Sequence, residues 1–234
     1  MDFNELLSLA ESGDPDHQLL LARLYGAGEI EEVSTLINPD LEKCFFWVLQ
    51  SAKSGNTRAK ANLGNMYCKG IGTEPNISKG FYWYSAAAED GDERSLFGAG
   101  LMLLLGNGTA QNIDQGIKFL YQAAQGGFTE AMSTLGSTFL EGKLVEQDLS
   151  EAKYWLKEAA KKLDANAQYN LGILYMNHQE HSLKRDIKAY KWLFAAKQNN
   201  AHFLEHTNSA LAILSSRLSI NEINSAKEMA QEYL

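Results

Sequence analysis

Two histidines one helical turn apart raise the first chemical question. His202-Phe203-Leu204-Glu205-His206 reads H-x-x-E-H. On a helix both imidazoles fall on one face at i and i+4, the spacing of a zinc pair with a glutamate beside it to serve as base. A catalytic zinc needs a third protein ligand, and only 28 residues follow His206, with Glu222 and Glu228 as candidate donors. The residues therefore read as a solvated helix face, with a metal-dependent hydrolase as the distant alternative. His178 and His181 are close enough to share a metal, but no cysteine or carboxylate cluster accompanies them, and they read as polar loop residues. Gly98-Ala99-Gly100 and Gly106-Asn107-Gly108 follow no strand, so neither is expected to cradle a phosphate. Cys44 and Cys68 have no second cysteine nearby and read as buried or half-buried free thiols in a reducing compartment. No nucleophile elbow or paired-carboxylate site appears. The expectation is a protein that is not an enzyme and uses no cofactor or metal.

The elements that position these residues follow a fixed period. Trp47, Trp83, Phe119, Trp155 and Trp192 stand 36, 36, 36 and 37 residues apart. A period of that size marks a repeat protein, in which each unit buries its apolar face against the next. A second ladder runs beside the first. Ala59, Leu63, Gly64, Tyr67 and Gly70 recur as Ser95, Ala99, Gly100, Leu103 and Gly106, then as Ala131, Leu135, Gly136, Phe139 and Gly142. They recur once more as Ala167, Leu171, Gly172, Tyr175 and His178, and an earlier copy shows Leu21, Ala22, Tyr25 and Gly28. Residues at i, i+4 and i+8 form one apolar stripe on a helix. A glycine inside that helix costs about 1 kcal/mol relative to alanine, so its recurrence predicts close approach of a neighbouring helix. Trp83, Phe119, Trp155 and Trp192 are each followed by paired alanines, such as Ala123-Ala124 and Ala159-Ala160, which predicts a second helix with a thick and a thin edge. Gly55, Gly91 and Gly127 are expected to stop these second helices. Asp148-x-x-Glu151 and Ser219-x-x-Glu222 are expected to start helices as capping boxes.

These residues resemble the Sel-1-like repeat family, a branch of the tetratricopeptide-like α-solenoids. Residues 59–91 carry the resemblance most closely, through Leu63-Gly64, Tyr67, Gly70-Ile71-Gly72, Lys79, Trp83-Tyr84, Ala86-Ala87 and Gly91. It implies an all-α fold, a right-handed α-solenoid of antiparallel helix pairs, about twelve helices in one domain over 1–234. The expected organisation is a truncated unit at 1–14, repeats at 15–56, 57–92, 93–128, 129–164 and 165–200, and capping helices at 201–234. The first repeat departs by a longer inter-helix loop from Glu29 to Asp40, and the last repeat by His178 in place of the loop glycine. The resemblance also implies a protein-binding module whose first helices line the concave side. The expected contacts on that side are Arg23, Arg58, Asn65, Lys69 and Arg94, then Leu101, Leu105, Glu130, Ser137 and Tyr169. Leu101 and Leu105 read equally well as core. Family members of this length include bacterial immunity proteins, so a toxin-immunity or inhibitor protein is one implied function and an adaptor or regulatory scaffold the other.

Charge separates the possible partners. Residues 1–42 hold ten acids and one base, Arg23, a net of −9 within a chain whose total is −8. This end reads either as a solubilising cap on a solenoid or as an acidic docking surface for a protein with a basic face. In the second reading Glu29, Glu31 and Glu32 on the lengthened loop are contacts. No basic stripe with interleaved aromatics stands out, so nucleic acid is not expected as a partner. No apolar run approaches the roughly 20 residues that span a bilayer, and the start Met1-Asp2-Phe3-Asn4-Glu5 lacks the basic region of a secretory signal. The expectation is a cytoplasmic protein, monomeric when free.

Overall fold

The computed structural model describes residues 1–177, 182–199 and 204–234, without the side chain of Leu204. The described residues form thirteen α-helices and no strand, with one isolated bridge between Ile30 and Val33. Helix α1 spans Phe3–Glu11. The pairs that follow are α2 (Pro15–Ala27) with α3 (Leu41–Lys53), α4 (Thr57–Lys69) with α5 (Ile77–Glu89), and α6 (Glu93–Leu105) with α7 (Ile113–Gln125). Next come α8 (Thr129–Glu141) with α9 (Leu149–Lys161), and α10 (Ala165–Met176) with α11 (Leu183–Asn199). Helices α12 (Leu204–Ser215) and α13 (Ile220–Ala230) and a short 3₁₀ turn at Gln231–Tyr233 close the chain. The chain separates into two compact units, 1–123 and 124–234.

Local chemistry sets the helix limits. Asp14, Asp40, Asn56, Asn76, Asp92, Asp148 and Asp164 each sit at an N-cap, with a side-chain oxygen accepting from the first backbone N–H groups. Ser219 and Glu222 form the reciprocal capping box expected of them. Asp148 caps α9 through the N–H groups of Ser150 and Glu151, but the reciprocal half of the expected box does not form: the Asp148 N–H donates to the Phe139 carbonyl at 3.1 Å, and the Glu151 carboxylate accepts from Trp155 Nε1 at 3.0 Å. Gly55, Gly91 and Gly127 end their helices with φ between 91° and 99°. At the equivalent place after α9 the chain puts Leu163, with φ 66°.

In the first unit, α1 packs on α2, α2 on α3, α3 on α4, α4 on α5 and α5 on α6. The glycine of the first-helix motif lies where the paired helix crosses. A methyl group on Gly64 would meet the Tyr84 ring at 2.9 Å, and one on Gly100 would meet Leu120 at 3.2 Å. Gly98 faces the other side of the Tyr84 ring at 3.7 Å, so the Gly98-Ala99-Gly100 run makes room for two side chains of neighbouring helices. The lengthened loop folds back over the N-terminal helices. Val33 joins Leu6, Ala10, Leu21 and Leu24 in one buried cluster. The Ser34 N–H donates to the Met1 carbonyl at 3.2 Å.

In the second unit, α8 pairs with α9 and α10 with α11, with α9 also against α10. Gly136 and Gly172 meet Leu156 and Leu193, each with a would-be methyl 2.6 Å from the leucine Cγ. Helices α12 and α13 lay Leu211, Leu214, Ile223 and Ala226 against Ala189 and Leu193 of α11. The C-terminal turn is stapled down by polar contacts. Gln168 donates to the Tyr233 carbonyl at 3.3 Å and accepts from Asn199, which itself donates to that carbonyl at 2.7 Å.

The aromatic ladder is less uniform than its spacing suggests. Trp155 and Trp192 are buried, whereas Trp47, Trp83 and Phe119 are only partly so. A deeper rung is one residue later: Val48, Leu120, Leu156 and Leu193 are 0–3 % exposed, while Tyr84 in the same place is half-buried. That is the position the motif glycine admits.

Candidate partner-binding surface

The ladders are largely spent on packing, and the first helices leave a row of polar side chains outside. In the first unit a cleft of about 500 Å³ opens between α2 and the start of α4. It brings together Arg23 and Arg58, which lie 35 residues apart in sequence, with Asp16, His17 and Thr57. Arg23 is ion-paired with Glu32 at 3.0 Å; a backbone N–H bond first, and the Arg23 guanidinium second, hold the Glu32 carboxyl below its usual range. Asn56 donates to Asp16 at 2.8 Å across the cleft floor. Among the described residues Arg58, exposed like Arg23, has no such partner.

The other expected contacts of this unit are more scattered. Asn65 is half-buried beside Gly64, and Lys69 and Arg94 are exposed. Leu101 and Leu105 divide: Leu101 is half-buried in α6, while Leu105, the last residue of that helix, is 70 % exposed. Arg94 lies close enough to Tyr84 to temper its phenol, which burial pushes up to about 12.

The second unit carries its own cleft, about 390 Å³, along α8 and α10. It is lined by hydroxyls and amides, including Ser133, Thr134, Ser137 and Thr138, with Glu141, Asn166 and Asn170. Several of these groups are already ordered. Asn170 donates to Ser137 at 2.9 Å and Ser133 to Asp164 at 2.8 Å. Glu130 is exposed at the start of α8. Tyr169 is placed otherwise than expected, against the buried cluster of α11, α12 and α13.

The acidic end divides on inspection. Asp2, Asp14 and Asp40 are helix caps. Asp14 also accepts from His17 Nδ1 at 2.8 Å, and backbone and histidine hydrogen bonds hold its carboxyl below the usual range. Glu32 is tied to Arg23, so Glu29 and Glu31 are the loop carboxylates left facing solvent. No three His, Cys, Asp or Glu among the described residues gather as a metal-binding set. His206 is exposed on α12, while His178, His181 and His202 lie outside the described residues. Cys44 and Cys68 are free and half-buried, and burial pushes both thiols up, away from the reactive thiolate. No described helix is long and apolar enough to cross a membrane.

One recurring contact escaped the sequence reading. Lys43 lies over Tyr25 and Lys79 over Tyr67, each 5.3 Å from the ring centroid, and Lys188 lies over Tyr175 at 5.5 Å. The lysine stands four residues before the ladder tryptophan and clamps the tyrosine of the paired helix. The signal was the repeated spacing of Lys to Trp, visible once the helices are paired.

Comparison with known proteins places this geometry in a family. Solved structures share the fold at low identity. A Sel1 repeat protein from Oxalobacter formigenes superposes with a TM-score of 0.70 at 23 % identity, over 95 % of this chain and 86 % of its own. A protective antigen of uropathogenic Escherichia coli with the same fold gives 0.58 at 22 % identity, over 97 % of this chain and 55 % of its own. A Sel1 repeat protein from Klebsiella pneumoniae gives 0.52 at 18 % identity, over 90 % and 98 %. Among curated proteins no sequence matches the chain. The Sel1 repeat profile matches residues 18–56, 57–92, 94–128, 129–162 and 165–200, five consecutive units, and the chain belongs to the Sel1 repeat family.

Proposed function

We propose that the protein is a non-enzymatic binder of another protein, which it engages through the exposed sides of its first helices. The observation that carries this reading is the pair of clefts on α2–α4 and α8–α10, where polar side chains stay open while the repeat ladders are consumed in packing. Arg58 supplies an unpaired cation in one cleft, and the hydroxyl and amide row supplies hydrogen bonds to a peptide backbone in the other. Glu29 and Glu31 add a rim that draws in a partner with a basic face. Of the functions the family resemblance implies, an immunity or inhibitor protein that plugs a toxin or enzyme is the leading one. An adaptor or regulatory scaffold is the second.

Site-specific photo-crosslinking tests the reading. A photoreactive residue placed at Arg58 or Thr134 should capture one and the same protein in cells, and a reactive residue at the exposed Tyr82 on α5 should not. Capture of nothing from the first-helix positions would remove this surface from the function. Deleting the captured partner separates the two kinds of binder. If growth without this protein is poor only while the partner is present, the protein is an inhibitor.

A further inference from the structure

The second helices of the last two repeats carry a feature that the first-helix clefts do not use. Lys153 and Lys157 stand one turn apart on α9, Lys184 and Lys188 recur at the same spacing on α11, and Lys191 follows three residues on. The two rows face each other. Lys153 and Lys188 both lie over the Tyr175 ring, at 5.3 and 5.5 Å from its centroid. Lys184, Lys153 and Lys157 all depress the Lys188 ammonium, after the larger effect of its own partial burial.

The acids of the same helices are committed elsewhere. Glu151 accepts from Trp155 Nε1, Glu158 binds Lys161 at 2.6 Å, and the buried Asp186 faces Arg217 at 3.7 Å. Among the described residues, none of Lys153, Lys157, Lys184 and Lys188 has a carboxylate within ion-pair distance. Four cations held close without counter-charge raise each other's energy and favour an anion between them. Beside them is a cleft of about 220 Å³ with apolar walls from Leu149, Leu174 and Tyr175 and polar edges from Ser150, Lys153 and Arg185. Tyr154 stands exposed next to the lysines, edge-on to Trp155 at 4.9 Å.

We propose that this face of α9 and α11 is a second binding site, which takes an acidic segment of a partner protein carrying one aliphatic side chain. The lysine rows receive the carboxylates, and the cleft under Lys153 receives the aliphatic group. A nucleic acid would find the same cations but has no aliphatic group for the cleft. A short acidic segment meets the patch alone, because charges more than about 8 Å away are screened at physiological ionic strength.

A fluorescein-labelled octapeptide of glutamates around a central leucine tests the site by fluorescence anisotropy on the whole protein. It should bind at low salt, and a peptide with glutamine for every glutamate should not. Lys153→Gln, Lys157→Gln and Lys184→Gln together should weaken binding about tenfold, as expected for three exposed charge contacts. The corresponding arginine triple should retain it. Replacing the peptide leucine by serine should cost about fivefold in wild type, and nothing further in Leu149→Ser. The three lysines are exposed, so the variants keep the fold, which circular dichroism melts verify. Lys53→Gln with Lys69→Gln, in the first unit, is the control and should bind as wild type.

Equal binding of the glutamine peptide, or of the lysine triple, overturns the site. A single-stranded oligonucleotide that displaces the peptide and binds more tightly assigns the face to nucleic acid and overturns the proposed ligand. Concentration-dependent self-association that the lysine triple abolishes assigns it to a second copy, with the same consequence. None of these results bears on the first-helix crosslinks.

Discussion

Trp155 and Leu163 show what single residues contribute. Trp155 is 6 % exposed and spends its indole N–H on Glu151. Trp155→Ala removes a large buried ring and should cost about 3–5 kcal/mol, read as a fall in the denaturant midpoint. An unchanged midpoint would mean that the ring contributes nothing to packing. Trp83 stands on the same ladder but is only partly buried, so Trp83→Ala should cost less. Leu163 holds a left-handed φ of 66° while 47 % exposed, where the three preceding repeats place Gly55, Gly91 and Gly127. That conformation costs a side-chain-bearing residue about 1–2 kcal/mol. Glycine relieves it but loses part of the gain through its freer unfolded chain. Leu163→Gly should therefore raise stability by about 1 kcal/mol or slightly less, and a lower unfolding midpoint would show that the leucine side chain packs more than it strains.

Each repeat element is built on a crossing of two helices, and that crossing has no spare room. At Gly136 an added methyl would lie 2.6 Å from Leu156 Cγ and 2.9 Å from its backbone nitrogen. Alanine improves helix propensity by about 1 kcal/mol, while overpacking against fixed backbone costs about 1–3 kcal/mol. Gly136→Ala should thus destabilise, against the usual rule for helices, and equilibrium unfolding decides the sign. The helix caps set the acid behaviour. Asp14 and Asp40 are held below the usual carboxylate range, mainly by backbone N–H groups of the helices they cap. A carboxyl depressed by folding adds stability above its unfolded value, and the benefit is lost as pH falls through the lower folded value. The thermal midpoint should be level above about pH 5 and fall below about pH 4. Asp40→Asn keeps a capping side chain without the titration, so it should flatten part of that fall. The motif glycine and the stop glycines were legible in the sequence because each repeats in register, whereas of the caps only Asp148 and Ser219 stood out, by the glutamate three residues later. The loop from Glu29 to Asp40 occurs once, so nothing in the chain signalled that Val33 turns inward or that Glu32 reaches Arg23. The lysine rows on α9 and α11 were hidden for another reason. Their members are about thirty residues apart and meet only when second helices lie side by side.

At the scale of the whole molecule, charge decides how a partner is caught. The first unit holds sixteen acids and nine bases and the second thirteen acids and twelve bases, so −7 of the net −8 belongs to residues 1–123. Much of it is structural, since Asp2, Asp14 and Asp40 cap helices and Glu32 is paired with Arg23. Glu29 and Glu31 remain free to act at a distance. Rim charges change association more than dissociation and are screened over about 8 Å at physiological ionic strength. With the crosslinked partner in hand, Glu29→Gln with Glu31→Gln should slow association at low salt and leave dissociation nearly unchanged. Glu32→Gln should behave differently. It releases Arg23 into the α2–α4 cleft, so it should alter complex lifetime along with the association rate. Arg58→Glu should shorten that lifetime, because the charge it reverses has no partner among the described residues other than the bound protein. His206→Ala and His202→Ala should leave binding intact, with no stoichiometric zinc in the purified protein; one zinc per chain and loss of activity on mutation would restore the hydrolase alternative. Association that ignores salt, or a Glu29 and Glu31 double variant that binds at the wild-type rate, would reduce the acidic end to a solubilising cap and leave recognition to the clefts.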